Sequence, residues 1–180
     1  MKIIHNLVAI CLLANLWQGA RAEDDTKIVP GLRIGPVVLG MTEKEVTQGL
    51  GNHDGIYDLS GGIKVEYSEW KEPGKTSTIR VFYNKAGRVV QITAEAPGVA
   101  TENGISIKST LDEVSQSFKN LRLLSYAKQD GFIDLYDAKA QGICFAFERS
   151  KSEKKANSSM HGIVVHRPGS SVILDRDVSI

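Results

Sequence analysis

The side chains able to do acid–base, nucleophilic or metal chemistry are few in this chain, and their spacing brings little together. Its four histidines are His5, His53, His161 and His166. In an extended strand the odd separation of His161 and His166 puts them on opposite faces, so they are not a ligand pair. His53, in Gly51-Asn-His-Asp54, falls in a loop, and solvated surface histidines are the expectation for all three beyond residue 22. The sequence contains no Gly-x-Ser-x-Gly elbow and no His-Glu-x-x-His pair. Cys144 sits among alternating Ile143, Phe145 and Phe147, pointing away from them beside Ala146. A reactive thiolate needs electropositive, accessible surroundings, and Cys144 reads as a small packing residue. Asp130, Asp134 and Asp137 gather about a turn without the Asp-x-Asp-x-Asp-Gly spacing of a calcium loop, and read as solvated acids. Gly49-x-Gly51 lacks the third glycine and preceding strand of a dinucleotide-binding turn. Lys151, Glu153, Lys154 and Lys155 form a charged loop. The expectation is no catalytic residue, no metal site and no cofactor: not an enzyme.

What is left is recognition. Ile63, Val65 and Tyr67 alternate with Lys64, Glu66 and Ser68, the period of a half-buried strand. If the first set faces a core, Lys64 and Glu66 face out. On the next strand Ile79, Val81 and Tyr83 go in, leaving Arg80 and Phe82 out. Trp70 lies on the adjoining polar stretch Glu69–Ser77, which reads as a loop. Trp70, Phe82, Arg80, Lys64 and Glu66 therefore form the predicted partner-binding patch, an aromatic anchor with a polar rim.

Two helix starts position these strands. Thr42 with Glu45 is a Thr-x-x-Glu capping box, and Met41 with Val46 makes a hydrophobic staple. Val46 and Leu50 form the buried stripe, and Gly51 ends the helix where a left-handed residue is wanted. Thr110 with Glu113 is a second box, and Val114 and Phe118 take the places of Val46 and Leu50. The same separation parts Thr42 from Thr110 and Val46 from Val114. Gly31–Leu39 reads as a short extended lead-in, broken by Pro36. Thr78–Tyr83 and Arg88–Ala94 flank the turn Asn84–Gly87. Phe132–Tyr136, Gly142–Glu148 and Gly162–His166 are the strands of the second half. Each half closes on Pro-Gly, at Pro97-Gly98 and Pro168-Gly169.

Residues 1–22 read as a secretory signal peptide: Lys2, an apolar run to Leu16, and Ala20-Arg21-Ala22 before Glu23. A lipoprotein signal using Cys11 is the rival, weakened by Ile10 before it. The expected location is periplasmic or secreted, after cleavage near Ala22. Loss of Lys2 and Arg21 turns the formal charge of +1 slightly negative, so no nucleic-acid footprint is expected. No later apolar run is long enough for a transmembrane span. Cys11 leaves with the signal, so Cys144 has no disulfide partner and the core alone must hold the fold.

The expected fold class is α+β: two tandem repeats, each a short helix packed on an antiparallel β-meander. The divisions are signal peptide 1–22, leader 23–30, first repeat 31–98, second repeat 99–169 and tail 170–180, the tail without a clear role. The run Val37–Gly51, hydrophobic–Gly-Met-Thr-x-x-Glu-Val-x-x-x-Leu-Gly, resembles the opening motif of β-lactamase-inhibitor-protein-like domains and of small outer-membrane-assembly lipoproteins. That resemblance implies a tandem inhibitor-like fold. The chain departs from it in lacking a lipid-bearing cysteine after the signal and a disulfide in each repeat. The expected function is an exported, non-enzymatic protein-binding module of the cell envelope whose partner is another envelope or secreted protein. The resemblance sharpens this to an inhibitor or immunity-like protein. The alternative is a structural or assembly factor of the outer membrane, and further off a small-ligand carrier or an enzyme.

Overall fold

Both Thr-x-x-Glu boxes close. Before α1 (Glu43–Leu50), Thr42 Oγ1 accepts from the Glu45 amide at 3.3 Å, and Glu45 Oε2 accepts from the Thr42 amide at 2.8 Å. Before α2 (Leu111–Ser117), Glu113 and Thr110 make the same exchange, at 3.3 and 2.7 Å. Two-turn helices are too short to persist alone. Val46, Val114 and Phe118 therefore matter more than the caps: all three are buried in the main core.

The structure is a computed structural model that describes residues 27–72, 74–95, 97–128, 131–152 and 160–175. The expected signal peptide 1–22, most of the expected leader, Asp130, Glu153, Lys154, Lys155 and residues 176–180 lie outside the described residues.

The fold is mainly β with two short helices. A small antiparallel sheet of β1 (Ile28–Val29), β2 (Arg33–Ile34) and β3 (Val37–Val38) takes up the end of the expected leader and the extended lead-in. The other eight strands are β4 (Gly55–Leu59), β5 (Ile63–Glu72), β6 (Lys75–Tyr83), β7 (Val89–Glu95), β8 (Arg122–Ala127), β9 (Gly131–Ala138), β10 (Ile143–Ser150) and β11 (Met160–His166). They form one antiparallel sheet in the order β4-β5-β6-β7-β11-β10-β9-β8. The seam is β7 against β11, with Thr93 opposite Val164 and Gln91 opposite His166. Two meanders side by side are thus corrected to one continuous sheet. Edge strands β4 and β8 were not foreseen, because Gly55-Ile-Tyr-Asp-Leu59 and Arg122–Ala127 are short and rich in polar residues. Glu69–Ser77 is not a loop: β5 and β6 run through it as paired strands, Trp70 opposite Ser77.

One sheet face carries the main core. Ile79, Val81, Ile92, Phe145, Phe147, Ile163 and Val165 pack there beneath both helices and beneath Ile28, Ile34 and Val37 of the small sheet. Each such side chain is worth about 1.5–3 kcal/mol when fully buried. Trp70 belongs to this core, 7% exposed. Its ring lies against Gly35, where a Cβ would sit 2.2 Å from it and φ is +52°, so only glycine fits.

Candidate functional site: the concave sheet face

The five residues of the predicted patch do not share a surface. Lys64 stands opposite Tyr83 and Glu66 opposite Val81, which puts both on the helix side of the sheet. Lys64 pairs there with Glu43 of α1, and with Glu66 at 3.1 Å. Burial pulls the Lys64 pKa down, but its bonds to Glu43 and Glu66 outweigh this and hold it above the usual value. Tyr83 Oη donates to Glu66 Oε2 at 2.9 Å. Burial and that bond keep the phenol far above its normal titration range. Alternation gave the period of β5 correctly and its phase wrongly, because polar side chains with charged partners on a helix can face inward as well as outward. Arg80 and Phe82 do lie on the other face, but buried: Phe82 is 1% exposed and Arg80, paired with Glu95, 8%.

That second face is a groove. Arg80, Phe82, Gln91, Thr93, Val164, Ala146, Leu135 and Tyr126, drawn from six adjacent strands, line a single space. Ile133, Leu135, Cys144, Ala146 and Val164 form its buried apolar floor. A flat sheet of eight strands would separate its edges by about 34 Å at about 4.8 Å per strand. Yet Asp175 is bonded by the Tyr57 phenol of edge strand β4 and lines one small space with Tyr126 of edge strand β8. The sheet is therefore strongly curled, with this face concave. Irregular register between Phe82 and Tyr83 in β6 and between Ala146 and Phe147 in β10 supplies one bend in each half.

The groove is occupied by the chain's own C-terminal segment. Val172 and Leu174 pack on the apolar floor, and the space left is only about 40 Å³, room for little more than a water or two. Gln91 Nε2 donates to the Ile173 carbonyl at 3.0 Å, and the Ile173 amide donates to Gln91 Oε1 at 2.7 Å. A side-chain amide here does what a neighbouring strand would do. Tyr57 Oη donates to the Asp175 carboxylate. Burial first, then that bond, pushes the Tyr57 pKa well up, so the phenol stays a donor. Burial and the Asp175 charge push Tyr126 up to about 12.

Two titratable groups expected in solvent lie at the end of the same face. His166 and Asp137 are each 1% exposed, with Nε2 and Oδ1 2.9 Å apart, while His166 Nδ1 donates to the Arg167 carbonyl at 3.0 Å. One proton must lie between ring and carboxylate, since Nδ1 already donates elsewhere. Cys144 stands directly opposite Asp137, and burial followed by that negative charge raises its thiol well above the usual value. This is an inert, packed thiol, as its alternating neighbours implied. Asp134 points to the helix side, where Arg149 Nε meets it at 2.7 Å and the Ser125 hydroxyl donates to it at 2.5 Å. The sequence signal missed for the tail was Ser171-Val-Ile-Leu-Asp175, a short apolar run with two β-branched residues that reads as an extended segment.

No protein-family model matches the chain, and no curated protein sequence matches it. Solved structures do, three of them as follows. A cysteine-rich secretory protein from Staphylococcus aureus is 17% identical, with TM-score 0.45, over 77% of this chain and 48% of that one. A DUF4309 family protein from Bacillus subtilis is 16% identical, with TM-score 0.45, over 87% and 96%. An extracellular protein containing an SCP domain from Bacillus anthracis is 9% identical, with TM-score 0.47, over 77% and 51%. The chain spans about half the length of the first and third of these. The resemblance to β-lactamase-inhibitor-like and assembly-lipoprotein domains is corrected: no family model carries it. The physical reason is visible in the motif itself: Met-Thr-x-x-Glu-Val is a staple and capping box, which any helix start rewards, so it reports a helix and not a family.

Proposed function

We propose that the chain is a non-enzymatic protein-binding module that works outside the cytoplasm, and that its recognition surface is the concave sheet face. The observation that carries this reading is the Gln91–Ile173 exchange. A sheet face that holds an extended segment by its backbone, above an apolar floor, has the parts of a peptide-recognition site: main-chain bonds for affinity and alternate pockets for side chains. Location outside the cytoplasm is supported by the signal-like residues 1–22 and by the description of two matching structures as secretory or extracellular. The fold as an internal duplication is part of the proposal; its support is that each half opens on a Thr-x-x-Glu cap and continues as four antiparallel strands. The inhibitor form rested on the family resemblance and is not carried further.

The test is affinity capture with the tagged mature chain from its own envelope and culture fractions. The control is a folded variant carrying Leu135→Glu on the groove floor. Proteins held by the first and released by the second support the reading. A partner captured equally by both places recognition elsewhere and ends the assignment to this face.

A further inference from the structure

In the described part of the tail, residues 170–175, few side-chain bonds hold the segment and one group is left unsatisfied. Val172, Ile173, Leu174 and Asp175 are each only half-buried. Asp175 Oδ1 is buried without a hydrogen-bond partner, an arrangement that costs stability. The segment is also pinned at its root. After β11 the chain turns at Gly169, whose φ is +80° and whose amide donates to the Lys139 carbonyl at 2.8 Å. Only Arg167–Ser171 separates β11 from Val172. A tether this short gives the segment an effective concentration of order millimolar, so weak contacts suffice to keep it in place.

Resting on the protein-binding reading above, we propose that the concave face is a slot for an extended peptide with aliphatic side chains at alternate positions followed by a carboxylate, and that Val172–Asp175 is a resident ligand which a partner segment of that pattern displaces. Each element of the pattern has its counterpart in the groove. The apolar floor of Leu135, Ala146 and Val164 takes the two aliphatic side chains. Gln91 reads the backbone between them and is indifferent to the side chain there. Tyr57 reads the carboxylate. The partner presents the segment as a flexible strand, because a helix cannot offer a free backbone amide and carbonyl to Gln91.

The experiment uses a fluorescein-labelled peptide of sequence Ser-Val-Ile-Leu-Asp and fluorescence anisotropy. The chain ending at Ser171 is expected to bind it at least tenfold more tightly than the full chain, because the tethered competitor is gone. Serine in place of both Val and Leu in the peptide should abolish binding. Asparagine in place of Asp should weaken it severalfold, and alanine in place of Ile should change it by less than threefold. Equal binding to both chains, or no binding to a truncated chain that still melts cooperatively, overturns the proposal. If truncation unfolds the protein, full-length Val172→Ser/Leu174→Ser serves instead, with the same expected gain. If that variant unfolds too, the tail is a structural strand and the proposal fails. A dimer of the full chain that exchanges tails at high concentration, seen by sedimentation, assigns the segment to a second copy and overturns the partner. A protein captured on this face whose binding the peptide does not compete overturns the slot while leaving the protein-binding reading intact.

Discussion

Gln91 and Ile173, 82 positions apart, exchange two hydrogen bonds across the concave face, the side-chain amide of one bonding the backbone of the other. Gln91→Leu removes both at once and leaves an amide and a carbonyl of the tail facing a methyl group. The expected loss is about 1–2 kcal/mol. Hydrogen exchange should show it locally, with the Ile173 amide exchanging at least tenfold faster and the β7 amides unchanged. An Ile173 amide that exchanges at the same rate in both proteins would mean that the tail is not held by Gln91.

Phe82 is a buried residue of the groove lining and not a surface anchor. Phe82→Ala should therefore destabilise the fold by about 3–5 kcal/mol, measured by urea unfolding. A surface aromatic would cost less than about 0.5 kcal/mol, and a result in that range would restore Phe82 to the exterior.

The helix caps give a matched pair. Thr42→Ala and Thr110→Ala each remove the acceptor of one helix amide and should each cost about 1 kcal/mol. The double variant should show the sum of the two. A cap that costs nothing would mean that its helix is set by packing alone.

Asp134 should shape the acid limb of stability. Burial raises its pKa, but Arg149 and Ser125 lower it further, and the net folded value lies below the usual 3.8. The ionised carboxylate therefore stabilises the folded chain at neutral pH, and that contribution fades as the pH falls through 3.8 toward the folded value. Asp134→Asn should be less stable at pH 7 by about 2 kcal/mol, with a flatter dependence below pH 4. Parallel curves for the two proteins would show that the pair with Arg149 contributes nothing.

Cys144 offers a chemical readout of the tail. It is fully buried in the cluster that Val172 and Leu174 cover. At pH 8 it should resist maleimide in the full chain and react at least tenfold faster once residues 172–180 are removed. Rapid labelling of the intact chain would contradict the packing described.

The sequence was most legible where one local rule acts. Thr42/Glu45 and Thr110/Glu113 announced both helices, and alternation located β5, β6, β7, β9, β10 and β11 to within a few residues. It failed where the answer depends on what lies across the space. Nothing within Lys64-Val-Glu-Tyr67 says that Glu43 waits on a helix to pair with Lys64, so the phase of β5 was inverted and Lys64 and Glu66 were put outside. Asp137 and His166 each look like surface groups until the fold brings them together at 2.9 Å. The groove escaped notice for the same reason. Its floor comes from several strands, its cover from a tail that resembles no core element, and the residue that joins them, Gln91, is an ordinary polar position in an alternating strand.

The place of β11 sets the order of events in folding. Among the described residues it is the last strand in sequence and yet lies in the middle of the sheet, between β7 and β10. Strands β4 to β7 can pair in succession as local hairpins, but the seam must wait for Met160–His166 and must close a loop from β7 that spans the entire second half. Long-range closures of this kind are slow. A chain emerging from a ribosome or a membrane pore thus keeps two unfinished half-sheets, with β7 exposed as an edge, until Met160–His166 is free. The tail, following β11 by a few residues, can dock only after that seam has formed. An ordered Val172–Asp175 is accordingly the mark of a finished molecule.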